Sequence, residues 1–509
     1  MTTKPSRMGS RRERMFMHER ERLRKISTFA MSIALLMLVW HPGAFASYGI
    51  YVGKNLTADG SVFLAGYGDE PSSHWLEIVP RRDHPQQASI KVGGTAGARY
   101  PGVLIDIPQV AQTLKYITMN YSAFAGFPAP LTNGGLNEHH VAARDIWSPS
   151  REELRKMTPN PQRGPNYSDL SRIVMERART AREAVEIVGA LIDKYGYSTY
   201  GGNSHLFADP DEGWILIEFA GGQGLWVAER LGPDDVRVSR PGYISEIPVD
   251  FQTRPNYRGS ANLISFAVKQ GWHDPKSGQP FDVNRTYGDG KLRHEAVALI
   301  EERLRQLKGK IGLKEIIAAV RTTEVTRDSA GYGQVAHLRK DIHQDLGVLW
   351  IAATTPVTAP FIPCHVGVND VPPEFKRHRY LTEGEAGGYM DDAFRGIEST
   401  RYAFHIFKRL FYLTEEHRRE FLPEVTQALE AFESRLVSRQ PTVEQTALAL
   451  YKAGEPDLAR QHLTYYNNAE AMNGLHLGEA LGQSIEVRTK MLYGIRQPSS
   501  SPQPDPVRR

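Results

Sequence analysis

Short apolar runs punctuated by turn residues open the chain after residue 46, and helical periodicity takes over later. Residues 48–56 and 61–67 are strand-like, and Thr57-Ala58-Asp59-Gly60 between them predicts a hairpin. Residues 75–79 and 116–122 read as further strands. A turn-rich loop at 128–139 precedes another strand at 141–147. Two helices come next, one capped by Tyr167-Ser168-Asp169 and running to 177, the other over 180–194 with Ala184, Val185, Ile187 and Val188 on one face. Residues 204–208, 213–219 and 224–230 are three strands joined by Asp209-to-Gly213 and Ala220-to-Gly224, an antiparallel arrangement. Helix returns over 295–322, a buried strand over 346–353, and helix over 399–494. Strands, helices, strands and helices in that order predict a layered α+β core with a helical C-terminal appendage.

The first 46 residues carry a different pattern. A basic stretch over 1–25 leads into an apolar run over 29–40, then His41-Pro42-Gly43 and Ala44-Phe45-Ala46. Charged, apolar, then small-x-small is the order of a signal peptide. The run is well short of the roughly 20 apolar residues that cross a bilayer. Cleavage after Ala46 is therefore expected, with export to the periplasm or medium and no stable membrane span afterwards; a retained anchor is the alternative. Met15, Met17 and Met31 are alternative starts. The last stretch, 497–509, is rich in Pro and Ser and is expected to be disordered.

Composition narrows the function. A 509-residue chain with 40% hydrophobic and 24% charged residues is long enough for one large or two ordinary globular domains. The net charge of +4 leans on the basic first 25 residues, so the mature chain is near neutral and no nucleic-acid partner is expected. Cys364 is the single cysteine, which excludes an intramolecular disulfide and leaves stability to the core.

Cleavage after Ala46 gives Ser47 a hydroxyl and a free α-amine within one residue, a nucleophile and a base together. The hairpin folds its ends together, so Asp69 in Gly66-Tyr67-Gly68-Asp69-Glu70 comes near that amine. Cys364 in Pro363-Cys364-His365 is the rival nucleophile, but adjacent strand residues point to opposite faces, so His365 is a poor base for it. Glu138-His139-His140 lacks a His-Glu-x-x-His spacing or a second ligand cluster, so no metal is expected. Gly221-Gly222-Gln223-Gly224 leads into no helix bearing Lys-Ser/Thr, so it reads as a hairpin turn, and no nucleotide or other cofactor is expected.

Residues 48–53, Asp59-Gly60-Ser61, Gly66-to-Glu70, 133–141, 195–205 and 217–230 together resemble the secreted branch of the dipeptidase A family. That family belongs to the N-terminal nucleophile hydrolases, with penicillin V acylase and bile salt hydrolase. The resemblance runs from Ser47 to about Arg496. It implies an αββα sandwich of two antiparallel sheets between helical layers, with a hydrolase domain over 47–395 and a helical region over 396–496. It also implies catalytic roles: Ser47 as nucleophile, Asp69 orienting its amine, and Asn137, of a recurrent Asn-Glu pair, helping to hold the oxyanion. Three departures stand out. Ser47 occupies the place of the usual cysteine. Gly66 and Tyr67 stand where many relatives carry an arginine. Val238-Ser239-Arg240-Pro241 has no asparagine where relatives use one in the oxyanion hole, which makes Arg240 the candidate donor there. The implied activity is hydrolysis of small peptides. An acylase for non-peptide amides and a catalytically silent periplasmic binding protein are the alternatives, and a homo-oligomer is left open.

Overall fold

The computed structural model describes residues 47–495 apart from 71, 123, 240–243, 291–294, 324 and 379–394. The expected signal peptide, Arg240 and the tail beyond 495 lie outside the described residues.

Two antiparallel sheets form the centre. The six-stranded sheet runs, in spatial order, Val236–Ser239, Tyr48–Val52, Val62–Gly68, Tyr332–Leu338, Val348–Ala352 and Ile362–His365. The larger sheet runs Tyr257–Gly259, Trp226–Leu231, Gly213–Glu218, Asn203–Ala208, Ala142–Ile146, Gly134–Asn137, Tyr116–Tyr121 and His74–Val79, with the short Leu131–Thr132 also paired to Tyr116–Tyr121. The predicted first hairpin is present, with Tyr48 opposite Tyr67 and Val52 opposite Phe63. Gly60 supplies the positive φ (75°) that its turn requires.

Side-chain alternation explains the layers. In the larger sheet Leu206, Ala208, Ile215 and Ile217 face the six-stranded sheet and share one apolar core with Ile50, Leu64 and Val335. Phe207, Trp214 and Leu216 face the other way, onto Leu170, Ile173, Val188 and Ile192 of the helices Tyr167–Arg177 and Ala181–Tyr195. On the far side, Ile316, Ile317 and Val320 of helix Leu313–Arg321 cover the six-stranded sheet. The result is helix, sheet, sheet, helix. Helices Arg418–Lys452 and Pro456–Tyr493 form a long hairpin turned at Gly454 (φ 79°), and Leu436, Ala471 and Leu475 join the central core.

Several expectations need correction. The stretch 295–322 is two helices, Glu295–Gln306 and Leu313–Arg321, separated by a turn at Gly309 (φ 74°) and restarted by Glu315, whose carboxylate accepts from the Gly312 amide. The first long helix is capped by Asn166, one residue earlier than expected, in a capping box with Asp169. The loop at 128–139 contains the strand Gly134–Asn137, made possible by positive φ at Gly134 (119°) and Gly135 (146°). Tyr332–Leu338, a central strand, carries no clear strand pattern because Gly333, Gln334 and His337 interrupt it. Gly333 is nevertheless required, since a Cβ there would lie 2.5 Å from Pro356.

Candidate active site

The site is built where the first hairpin opens. Tyr48 and Tyr67 point to the helical side: their hydroxyls donate to the carbonyls of Val320 and Val325, each at 2.8 Å, and their rings meet edge to face at 4.7 Å. Alternation then turns Ser47, Gly49, Gly66 and Gly68 toward the second sheet. Ser47 is buried, and its Oγ accepts a hydrogen bond from the backbone amide of Asp69 at 3.0 Å. The structure thus brings Ser47 and Asp69 together, and the contact is made by the Asp69 main chain.

Gly66 and Gly68 leave room for polar side chains, whereas Gly49 is met by Ile146 and Leu206. A Cβ on Gly66, where φ is 145°, would meet Nε of Arg144 at 3.1 Å; one on Gly68 would meet Oε2 of Glu70 at 2.2 Å and Nδ2 of Asn133 at 2.9 Å. Arg144 comes from Ala142–Ile146 in the opposite sheet and is fully buried. Its Nη2 donates to the Tyr67 carbonyl and its Nη1 to the Tyr332 hydroxyl at 3.4 Å. A guanidinium from the second sheet therefore lies against Gly66.

Glu70 and Asp145 add two buried carboxyl groups. Glu70 Oε1 accepts from Asn133 Nδ2 at 3.0 Å, Asn133 Oδ1 accepts from the Tyr121 hydroxyl at 2.7 Å, and that hydroxyl also contacts the Tyr167 hydroxyl at 2.7 Å. Burial pushes the Glu70 carboxyl upward and the negative charge of Asp145 adds to this; Asn133 and Arg144 pull the other way. Burial also raises Asp145, against the opposing charges of His205 and Arg144 and a hydrogen bond from Asn203. His74, with Nε2 3.9 Å from Glu70, is pushed down to about 3 by burial and is neutral.

Asn137 is placed elsewhere. Its Nδ2 donates to the carbonyls of Ala178 (2.7 Å) and Met175 (3.3 Å), and its Oδ1 accepts from the amides of His139 and Val141. These bonds fasten a strand turn to the end of helix Tyr167–Arg177. Asn133, at the other end of that strand and about 13 Å away at 3.3 Å per residue, is the asparagine that reaches the Glu70 cluster. Ser239 pairs with Gly49, beside the hairpin, but Arg240 lies outside the described residues. Cys364 is buried in Ile362–His365, and burial pushes its thiol up to about 12. Glu138 is engaged by Arg81 in a two-pronged ion pair. Sequence reasoning passed over Glu70, Asn133, Arg144 and Asp145. The available signal was an Arg-Asp pair inside the otherwise apolar strand 141–147.

Among known families, residues 46–298 match the model of peptidase family C69, a match that begins one residue before Ser47. Individual proteins are similar to the chain as well. A probable dipeptidase B of Streptococcus pyogenes serotype M3 is 23% identical over 394 residues, covering 67% of this chain and 76% of that protein. A probable dipeptidase of Salmonella dublin is 27% identical over 247 residues, covering 47% of this chain and 52% of that protein. Among solved structures, a mutant of conjugated bile acid hydrolase from Clostridium perfringens matches with a TM-score of 0.29 and 13% identity, over 63% of this chain and 92% of that one.

Proposed function

We propose that this protein is a peptidase of the C69 kind, an exported dipeptidase whose nucleophile is Ser47, released as the N-terminal residue by cleavage after Ala46. The observation that carries the reading is the Asp69 amide donating to Ser47 Oγ at 3.0 Å, at the end of a hairpin that directly succeeds Ala44-Phe45-Ala46. That bond occupies a lone pair of Oγ and leaves the hydroxyl proton free to be donated. In the uncut chain the Ser47 nitrogen is an amide and no base. After cleavage it is an α-amine, with a pKa of about 8 in model peptides.

In this mechanism the amine takes the Oγ proton as Oγ attacks the scissile carbonyl. It returns the proton to the leaving amine, and an ester on Ser47 remains. Water, deprotonated by the same amine, then releases the acid. The Asp69 amide fixes the hydroxyl before attack, so little reorientation is needed. Arg144 sets a guanidinium behind the hairpin, where its field favours the developing oxyanion.

Dipeptide hydrolysis by the secreted protein, with Edman sequencing showing Ser47 first, tests the proposal. Peptide hydrolysis by a protein beginning at another residue would remove the amine from the mechanism. A silent binding protein remains the second reading, motivated by serine in the place of the usual cysteine. It predicts dipeptide binding without turnover.

A further inference from the structure

Glu70 is one residue beyond the amide that holds Ser47 Oγ. Its side chain is 7% exposed. Asn133 fixes Oε1, whereas Oε2 has no hydrogen-bond partner among the described residues. Oε2 projects over the backbone of Gly68, 2.2 Å from where a Cβ would stand. Gly68 comes after Tyr67, the partner of Tyr48, so it is the residue opposite Ser47 on the neighbouring strand. Paired strand residues lie about 5 Å apart, which puts the carboxylate within about 8 Å of the nucleophile. One aminoacyl unit and a hydrogen bond span that gap.

The charge around this point is unbalanced. Glu70 has the charges of Asp145 and Asp69 against it and one guanidinium, Arg144, in its favour. Asp145 is opposed by both His205 and Arg144, and its Oδ1 also has no hydrogen-bond partner among the described residues. His74 is neutral and 3.9 Å away, and Lys408 is committed to Asp328 at 2.9 Å. A buried acceptor without a donor is unfavourable. A cation bearing N–H donors supplies that missing donor and offsets the repulsion of Asp145 and Asp69.

We propose that Glu70 anchors the free α-ammonium of the peptide's first residue, so that the protein selects peptides with an unblocked amino terminus. The inference rests on the dipeptidase reading and names the feature by which a dipeptide is told from an acylated amine. An ammonium against Oε2 also opposes the burial that drives the Glu70 carboxyl upward.

The test is calorimetric binding to the processed Ser47→Ala protein, which cannot form the ester. The ligands are alanyl-alanine and propanoyl-alanine, which differ by one amino group. The expected result is binding of alanyl-alanine at least about tenfold tighter, with the difference lost in Ser47→Ala/Glu70→Gln. Equal affinities overturn the proposal, as does a preference that survives Glu70→Gln; both are also expected if Glu70 serves only the amine of residue 47. If the double variant does not fold, the two-ligand comparison decides alone. Failure of the dipeptidase reading is read separately, as absence of turnover by the Ser47 protein, and leaves the binding preference measurable.

Discussion

The Asp69 backbone amide donates to Ser47 Oγ across 3.0 Å, joining residues 22 apart in sequence through one hairpin. Ser47→Ala is expected to lower peptide hydrolysis by about a thousandfold or more without changing the thermal midpoint by more than a few degrees. Ser47→Cys is expected to keep or raise the rate, because a thiolate is the stronger nucleophile. With the α-amine as base, kcat/KM rises with pH as the amine loses its proton, half-maximal at about pH 8 and levelling about one unit above it. A profile that falls over pH 6–8 would contradict that base.

Gly66 is held in a conformation that other residues avoid. At φ 145° a Cβ would stand 2.1 Å from the Tyr48 carbonyl oxygen. Gly66→Ala is expected to cost at least about 2 kcal/mol in urea unfolding. It also moves the strand that carries Ser47, so activity falls with stability. Wild-type stability in this variant would show that the hairpin yields freely.

Cys364 is buried with its thiol pushed up to about 12. It is expected to resist Ellman's reagent in the native protein and to react on unfolding. Cys364→Ala is expected to keep kcat within about twofold, whereas a catalytic cysteine loses orders of magnitude.

Glu444 joins the C-terminal helices to the six-stranded sheet. It accepts from Arg339 at 2.6 Å and 2.8 Å and contacts His365 at 3.2 Å. Burial pushes its carboxyl up, but the hydrogen bonds of His365 and Arg339 outweigh burial and hold it at about 2, below the ordinary 4.5. A depressed carboxyl stabilises the fold above the unfolded value and loses that contribution as pH falls toward the folded one. The window is therefore pH 4.5 down to about 2. Urea unfolding of wild type is expected to lose about 3 kcal/mol across it from this group. Glu444→Gln starts lower at pH 7 and loses correspondingly less; parallel curves would exclude the linkage.

The first hairpin and the strands near 204–230 were legible because turn residues and apolar runs there are local signals. Tyr332–Leu338 was not, because it is covered on both sides and its Gly333 and Gln334 answer to particular neighbours: Pro356 for the glycine, the Ala143 carbonyl for the glutamine. The site divides in the same way. Ser47 and Asp69 were found through a hairpin, a short-range device. Asn137 was legible as an Asn-Glu pair, yet its amide is bonded to the carbonyls of Ala178 and Met175. Glu70, Asn133 and Arg144 meet only after two sheets have stacked.

The sequence by itself determined the hairpin that joins Ser47 to Asp69, the strands near 204–230 with the helices before them, and the apolar alternation that makes sheets with two buried faces. These arise from φ/ψ preferences and side-chain period, which act over a few residues. Only the tertiary structure decided which polar groups surround the nucleophile. Arg144 lies 78 residues from Gly66 in sequence and against it in space. A buried charge takes its neighbours from the packing of layers, and that packing depends on every core side chain at once.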